Sequence, residues 1–187
     1  MIEVINITKK FGDHIVFNNY SLSFSEGKVT AIMAPSGKGK TTLLNMLMNI
    51  IMPDQGEIRG INRKKSAVFQ EDRLCMNLSV HANIKMVNPK ISKEEIKKAM
   101  KDVELEECLD QPVRELSGGM KRRVSILRAL LCEYDILFLD EPFQGLDQNT
   151  KQMVINYIKD HIKNKTVIMV THDIEEARVM NADIVTL

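Results

Sequence analysis

No stretch of the 187-residue sequence is long and apolar enough to span a bilayer. The most apolar segment, Leu43 to Met52, is interrupted by Asn45 and Asn49 and is about half of the ~20 residues that a helical span needs. Any membrane contact is therefore expected to run through a partner. The N-terminus carries Glu3 and lacks a basic stretch followed by an apolar core, so the translation product and the working protein are expected to be the same. Cysteine is scarce. Cys75, Cys108 and Cys132 are odd in number, far apart and in no C-x-x-C arrangement, which argues against both a disulfide framework and a zinc site. A surplus of one charge sign is also missing: 27% of the residues are charged, yet the formal net charge is +1. No global field favours nucleic acid or an acidic membrane, and no nucleic-acid partner is expected. Neither a repeat nor a low-complexity segment is present.

What is there reads as one α/β domain, a length that suits a single sizeable core. Over the opening thirty residues, apolar positions alternate in short runs (Ile2 and Val4, Ile5 and Ile7, Ile15 and Phe17, Leu22 and Phe24), broken at Gly12-Asp13 and Glu26-Gly27. That pattern predicts half-buried antiparallel strands. Val29 to Met33 then leads into a glycine-rich turn, after which Leu43, Leu44, Leu47, Ile50 and Ile51 recur at helical spacing until Pro53. Ile136 to Leu139 and Val167 to Val170 each follow a helical pattern and read as parallel strands buried on both faces. Ile91 to Leu109, rich in Lys and Glu with apolar Ile96, Ala99, Met100 and Val103, predicts an amphipathic helix with a solvated face. Arg63-Lys64-Lys65 reads as an exposed turn.

The turn after Met33 carries chemistry. Ala34-Pro35-Ser36-Gly37-Lys38-Gly39-Lys40-Thr41 matches the phosphate-binding pattern G-x-x-x-x-G-K-[ST] at every defined position except the first, and it lies between a strand and a helix as the mechanism demands. Glycines let backbone N–H groups converge on phosphate oxygens, and the helix N-terminus adds positive potential. In this reading Lys40 binds the β- and γ-phosphates, Thr41 ligates Mg2+ and Thr42 reaches the α-phosphate. Ser36, Gly37, Lys38 and Gly39 complete the loop; Lys38 reads first as a solvent-directed side chain and only second as a phosphate ligand. Ala34 replaces glycine, but Pro35 pushes the residue before it to negative φ, where alanine is comfortable.

Two carboxylates, Asp140 and Glu141, end the apolar run Ile136-Leu137-Phe138-Leu139, at the edge where α/β sheets bind ligands. Neighbours on a strand point different ways. Asp140 is thus suited to organise a Mg2+ shell and Glu141 to polarise an attacking water.

Leu116-Ser117-Gly118-Gly119-Met120, followed by Lys121-Arg122-Arg123, resembles the signature of the ABC (ATP-binding cassette) ATPases. The resemblance covers essentially the whole chain in the family's order: Phe11, the phosphate loop, Gln70, the signature, Asp140-Glu141, Gly145-Leu146-Asp147 and His172 in Thr171-His172-Asp173. It implies a P-loop NTPase core with a mostly parallel sheet, an N-terminal antiparallel β layer and an inserted helical subdomain. Residues 1–187 would form a single ABC ATP-binding domain, with 1–70 and 115–187 as core and β layer and 71–114 as the helical subdomain. It implies ATP and Mg2+ as cofactors and an ATP-dependent dimer, in which each ATP lies between the phosphate loop of one cassette and Ser117, Gly118 and Gly119 of a second, identical one. Phe11 would stack on adenine, Gln70 would sense the γ-phosphate and join Thr41 and Asp140 at the metal, Asp147 would communicate across the dimer, and His172 would bond the γ-phosphate and position Glu141. Taken alone, Gln70 reads as a loop amide, Asp147 as a helix cap, His172 as structural and Phe11 as β-layer packing. Met120 and Gln144 depart from the commoner pattern at glutamine and at serine or glycine.

The function so implied is an ATPase that energises membrane-spanning permease subunits, lying in the cytoplasm on the inner face of the membrane. Leu74, Cys75, Met76 and Leu78 fall where the family docks its permease, and equally read as subdomain core. The wording of residues 70–74 and 80–84 looks like bacterial importers of nitrate, sulfonate or taurine type. The alternatives are a soluble ABC ATPase without a transport role and a module gated by nucleotide with little hydrolysis. Retention of Glu141 and His172 argues against the second.

Overall fold

The computed structural model describes every residue except Ser36. The chain divides into two compact units. One comprises Met1–Lys65, Tyr134–Asp140 and Asn164–Leu187. Its N-terminal part is an antiparallel sheet in the order β2 (His14–Phe24), β1 (Ile2–Phe11), β4 (Gln55–Arg59). The alternation seen in the sequence sends Ile2, Val4, Ile7, Phe17 and Phe24 inward. Two asparagines bend these long strands: Asn6 (φ 48°) and Asn19 (φ 50°) take left-handed conformations that asparagine tolerates, and the β1 register shifts between Val4 and Ile7 and again before Lys9.

The second part of this unit is a parallel layer in which β6 (Ile136–Asp140), β7 (Thr166–Val170), β3 (Val29–Met33) and β8 (Asp183–Thr186) lie side by side. All five residues of β6 and of β7 are buried, as a strand covered on both faces requires. α1 (Lys40–Leu47) buries Leu43, Leu44, Met46 and Leu47, and α6 (Ile174–Val179) is capped by Asp173. The helix expected to reach Pro53 stops at Leu47. Asn49 turns left-handed (φ 61°), while Ile50 N–H bonds Asn45 C=O and Asn49 N–H bonds Met46 C=O, the two closing bonds of a Schellman end. Ile50 and Met52 are left in solvent. The expected turn at Arg63 to Lys65 is also cut short, because Lys65 already begins β5 (Lys65–Val68).

The other unit comprises Ser66–Glu133 and Glu141–Lys163. Its helices are α2 (Val80–Lys85), α3 (Lys93–Asp102), α4 (Gly118–Leu130) and α5 (Gln148–His161), with single 3-10 turns at Glu106–Cys108 and Val113–Glu115. Each helix starts where the sequence supplies an oxygen. Ser79, Ser117 and Asp147 accept from the first-turn amides of α2, α4 and α5, and Ser92 with Glu95 forms a reciprocal capping box on α3. The amphipathic helix expected over Ile91 to Leu109 is confined to Lys93–Asp102. Glu104 ends it at φ 53°, with Leu105 N–H bonded to Met100 C=O, and Leu105, Cys108 and Leu109 still pack inward from in and around the 3-10 turn that follows.

Candidate nucleotide site

In the unit that holds the parallel layer, three strands end together. Ile32 of β3 stands opposite Val170 of β7, and Val170 opposite Asp140 of β6. The loop that begins at Ala34, the carboxylate of Asp140 and the ring of His172, two residues past Val170, therefore share one carboxyl edge. Asp140 is buried and His172 exposed. Behind His172, the hydroxyl of Thr171 hydrogen-bonds the buried carboxylate of Glu176 and accepts from Asp173 N–H at 3.1 Å, which fixes the path of this turn.

The phosphate loop is shaped for an anion. Gly37 (φ 81°) and Gly39 (φ 88°) are left-handed, and among the described residues no side chain caps the start of α1 at Gly39. Lys40 folds back over the loop and donates from Nζ to the carbonyls of Ala34 (2.6 Å) and Pro35 (3.1 Å). This holds a point charge over the ring of amides. Ala34 is not among the residues with positive φ, so the absent glycine is not needed for backbone freedom. Thr41 is exposed and Thr42 half-buried, while Lys38 points into solvent. Ser36, assigned to the loop from sequence, lies outside the described residues.

Gly39 also rests on the β layer. A Cβ there would stand 2.5 Å from Val16 Cγ1 and 3.0 Å from Phe17 Cζ, whereas one at Gly37 would meet nothing within 4 Å. Gly39→Ala is therefore expected to cost more than Gly37→Ala, by about 1–3 kcal/mol, because only the first adds steric overlap to the left-handed strain that both share. Urea unfolding of the nucleotide-free protein measures this. Equal midpoints for the two variants would refute the packing argument. Phe11, the candidate for adenine, is 53% exposed, with Lys9 Nζ 5.4 Å from its ring centroid.

The remaining candidates belong to the other unit. Gln70 is exposed and Glu141 half-buried. Glu141 adopts φ 47°, a left-handed conformation that a non-glycine residue holds only where its surroundings enforce it. Arg122 joins these two residues through their backbone carbonyls, at 3.0 Å to Gln70 and 3.1 Å to Glu141. Sequence reasoning saw Arg122 only as the middle of a basic triplet.

Ser117 caps α4 by accepting from Met120 N–H at 3.3 Å. A Cβ at Gly118 would meet nothing within 4 Å, and one at Gly119 only Leu146 Cδ2 at 3.6 Å, so the face over these glycines is open. Asp147 is the cap of α5: Oδ1 accepts from the N–H groups of Asn149 and Thr150 and Oδ2 from the Thr150 hydroxyl, and the bond from Thr150 foremost holds its carboxyl below the usual range.

Asn83 was also missed as an organiser. It is fully buried in α2, accepts from Cys75 N–H (2.8 Å), and donates to the carbonyls of Cys75 (3.1 Å) and Ser79 (3.0 Å). This ties down the segment that presents Met76 (43% exposed) and Leu78 (42%), while Leu74 and Cys75 are half-buried.

The sequence model of the family described as ABC transporter matches residues 17–144. The chain belongs to that family. A spermidine/putrescine import ATP-binding protein, PotA of Legionella pneumophila (strain Paris), is 37% identical over 99% of this chain and 56% of its own length. The intermembrane phospholipid transport system ATP-binding protein MlaF of Haemophilus influenzae is 32% identical over 94% of the chain and 76% of its own length. The aliphatic sulfonates import ATP-binding protein SsuB 3 of Rhodococcus jostii is 33% identical over 94% of the chain. Proteins named for a polyamine, a phospholipid and a sulfonate thus lie at similar identity, so similarity to ABC relatives carries no preference for the sulfonate type. The chain spans about half the length of the PotA proteins that it matches. Among solved structures, the dimeric structure of the bacterial ABC transporter cassette MJ0796 superposes with a TM-score of 0.87 at 31% identity, covering 100% of this chain and 94% of that one. A post-hydrolysis dimer of MJ0796 bound to ADP and Pi gives 0.86 at 30% identity. The fold is that of an ABC cassette: a parallel sheet and an antiparallel sheet with helices. No helix among the described residues is long and apolar enough to cross a membrane.

Proposed function

We propose that residues 1–187 form one ABC ATP-binding domain that binds and hydrolyses ATP with Mg2+ and drives membrane-spanning permease subunits from the cytoplasmic face. The observation that carries the nucleotide site is the loop of residues 34–41, where two left-handed glycines, an uncapped helix start and the folded-back Lys40 face the same edge as Asp140. The amides of Gly37 to Thr41 and Lys40 hold the β- and γ-phosphates, with Thr42 toward the α-phosphate and Phe11 against adenine. The donors fit magnesium: a hydroxyl from Thr41, the carboxylate of Asp140 and the amide oxygen of Gln70 are all hard oxygens, and Mg2+ takes few protein ligands alongside phosphate and water. Among the described residues no group of three or more His, Cys, Asp or Glu gathers, which is what a dedicated protein cage would need. When bound, magnesium neutralises charge on the phosphates. Glu141 accepts the proton of the attacking water, and His172 hydrogen-bonds the γ-phosphate and orients Glu141.

Two anion-binding helix starts, at Gly39 and at Ser117, support a pair of cassettes arranged head to tail. Each ATP then meets Lys40 of one copy and the open face of Ser117, Gly118 and Gly119 of the other, and Asp147 communicates across the pair. The dimeric MJ0796 cassettes support this arrangement. Mg-ATP-dependent phosphate release by the purified protein tests the enzymatic reading, and its absence at any protein concentration would overturn it.

For the permease, the exposed Met76 and Leu78 are the contact residues, with Leu74 partly withdrawn. Met76→Asp should release the protein from membranes that carry the co-expressed permease while leaving ATP binding and the melting temperature within error. Continued recovery with membranes would remove Met76 from the docking surface.

A further inference from the structure

We propose that Arg122 is a positioning residue for hydrolysis: it clamps the main chain of the γ-phosphate-sensing Gln70 to that of the base Glu141. The inference rests on the assignment of those two residues made above. Arg122 lies in the second turn of α4, five residues past Ser117, and is 4% exposed. Burying a guanidinium is costly unless its donors are satisfied, so what it bonds reports what it is there to hold. It bonds backbone. Nη1 donates to Phe69 C=O at 2.6 Å, and Nη2 donates to Gln70 C=O at 3.0 Å and to Glu141 C=O at 3.1 Å. The carboxylate of Asp72 lies 3.2 Å from Nη1 and balances the charge.

The main chains of both proposed catalytic residues are thereby pinned by one rigid fork. Such pinning suits Glu141 in particular, since its left-handed φ of 47° needs an outside constraint. The fork is planar and offers several donors in fixed directions, which a lysine ammonium cannot reproduce. Because the clamp stands on the helix whose first turn is the signature, anything seated at Ser117 acts on the same rigid element that sets Gln70 against Glu141.

A second arginine supplies an internal control. Arg128, farther along α4, donates to Arg73 C=O at 2.9 Å and to Asp72 C=O at 3.2 Å, holding the same loop beyond Gln70 without touching Gln70 or Glu141. The Arg73 guanidinium lies 3.8 Å over the Phe69 ring and stiffens the segment further. If loop rigidity alone mattered, Arg122 and Arg128 would be equivalent. If the joint placement of Gln70 and Glu141 matters, only Arg122 affects turnover.

The test compares Arg122→Lys and Arg128→Lys by steady-state phosphate release, ADP titration and thermal melting, with Glu141→Gln alongside. Arg122→Lys should lower kcat about tenfold and leave the Kd for ADP within about twofold, while Arg128→Lys loses a similar amount of Tm and keeps kcat within about twofold. An unchanged kcat in Arg122→Lys, or equal losses in both variants, overturns the proposal. Should Arg122→Lys fail to fold, Asp72→Asn decides. It removes the ion pair and keeps the carbonyl bonds, so kcat should hold; a tenfold fall in a folded Asp72→Asn protein would make the charge pair, not the clamp, the working feature. Full hydrolysis by Glu141→Gln would fault the assignment of the base. A stalled Glu141→Gln beside a fully active Arg122→Lys would fault the clamp alone.

Discussion

Replacing Lys40 by alanine should weaken Mg-ATP binding by about 100-fold, which at 1.4 kcal/mol per tenfold is about 3 kcal/mol. The magnitude follows from removing one ammonium that, in the proposed site, would make charge-assisted bonds to two phosphates, each bond to a charged group being worth about 1.5–3 kcal/mol. The structure adds a reason why the fold survives. Lys40 Nζ is bonded to the carbonyls of Ala34 and Pro35, and the second of these bonds is exposed. Water can replace it there, so the ligand-free variant should lose only about 1 kcal/mol. Isothermal titration with Mg-ATP, paired with urea unfolding, separates the two effects. Equal nucleotide affinity in variant and parent would remove Lys40 from the site.

Glu141→Gln carries the largest expected kinetic change. Glutamine keeps the shape and a hydrogen-bonding oxygen but cannot take up the proton of water, so kcat should fall by about 10²–10⁴-fold with Mg-ATP affinity preserved. The substitution is structurally quiet. The left-handed φ of Glu141 is a main-chain property, and the bond from Arg122 to its carbonyl is a main-chain bond, so neither depends on the exchange. ATP should then persist, and in the proposed pair, where each ATP would bridge Lys40 of one copy and Ser117 of the other, the variant should accumulate as an ATP-dependent dimer. Adding Ser117→Arg should abolish that dimer. The space over Gly118 is open, and an arginine side chain projecting from the neighbouring position would fill it where the proposed second copy would sit. Light scattering with ATP, with ADP and with neither reads the outcome. A monomeric Glu141→Gln protein at saturating Mg-ATP would count against the shared site, and undiminished hydrolysis would count against Glu141 as base.

Both predictions rest on residues that were legible before any coordinates, and the reason is locality. A phosphate loop is one strand, one turn and one helix start, so its residues are contiguous and their spacing states the geometry. The carboxyl end of an apolar strand is equally local, which exposed Asp140 and Glu141. Buried strands such as β6 and β7 were read from composition alone because both faces are covered and every residue must be apolar. The edges of elements were harder. Helices α1, α3 and α6 end at left-handed Asn49, Glu104 and Asn181, none of them glycine, each with the next residue's N–H closing back on the last turn. A reader looking for glycine or proline overruns the first two. The polar run Gln55-Gly56-Glu57 in β4 shows no strand alternation, and only pairing with β1 makes it a strand.

By itself, then, the sequence determined the fold class and the family and put forward the phosphate loop and the two carboxylates as candidates, because these are written in contiguous residues or in a fixed order of motifs. Tertiary structure alone decided what each polar side chain holds. Arg122 and Arg123 are neighbours in a basic triplet, yet the 100° step of the helix sends Arg122 inward to Gln70 and Glu141 and Arg123 to the carbonyls of Val103 and Glu104. Asn83 ties a loop for the same kind of reason. A hydrogen bond depends on where its partner lies in space, and these partners are backbone carbonyls and amides, which every residue carries and no sequence distinguishes.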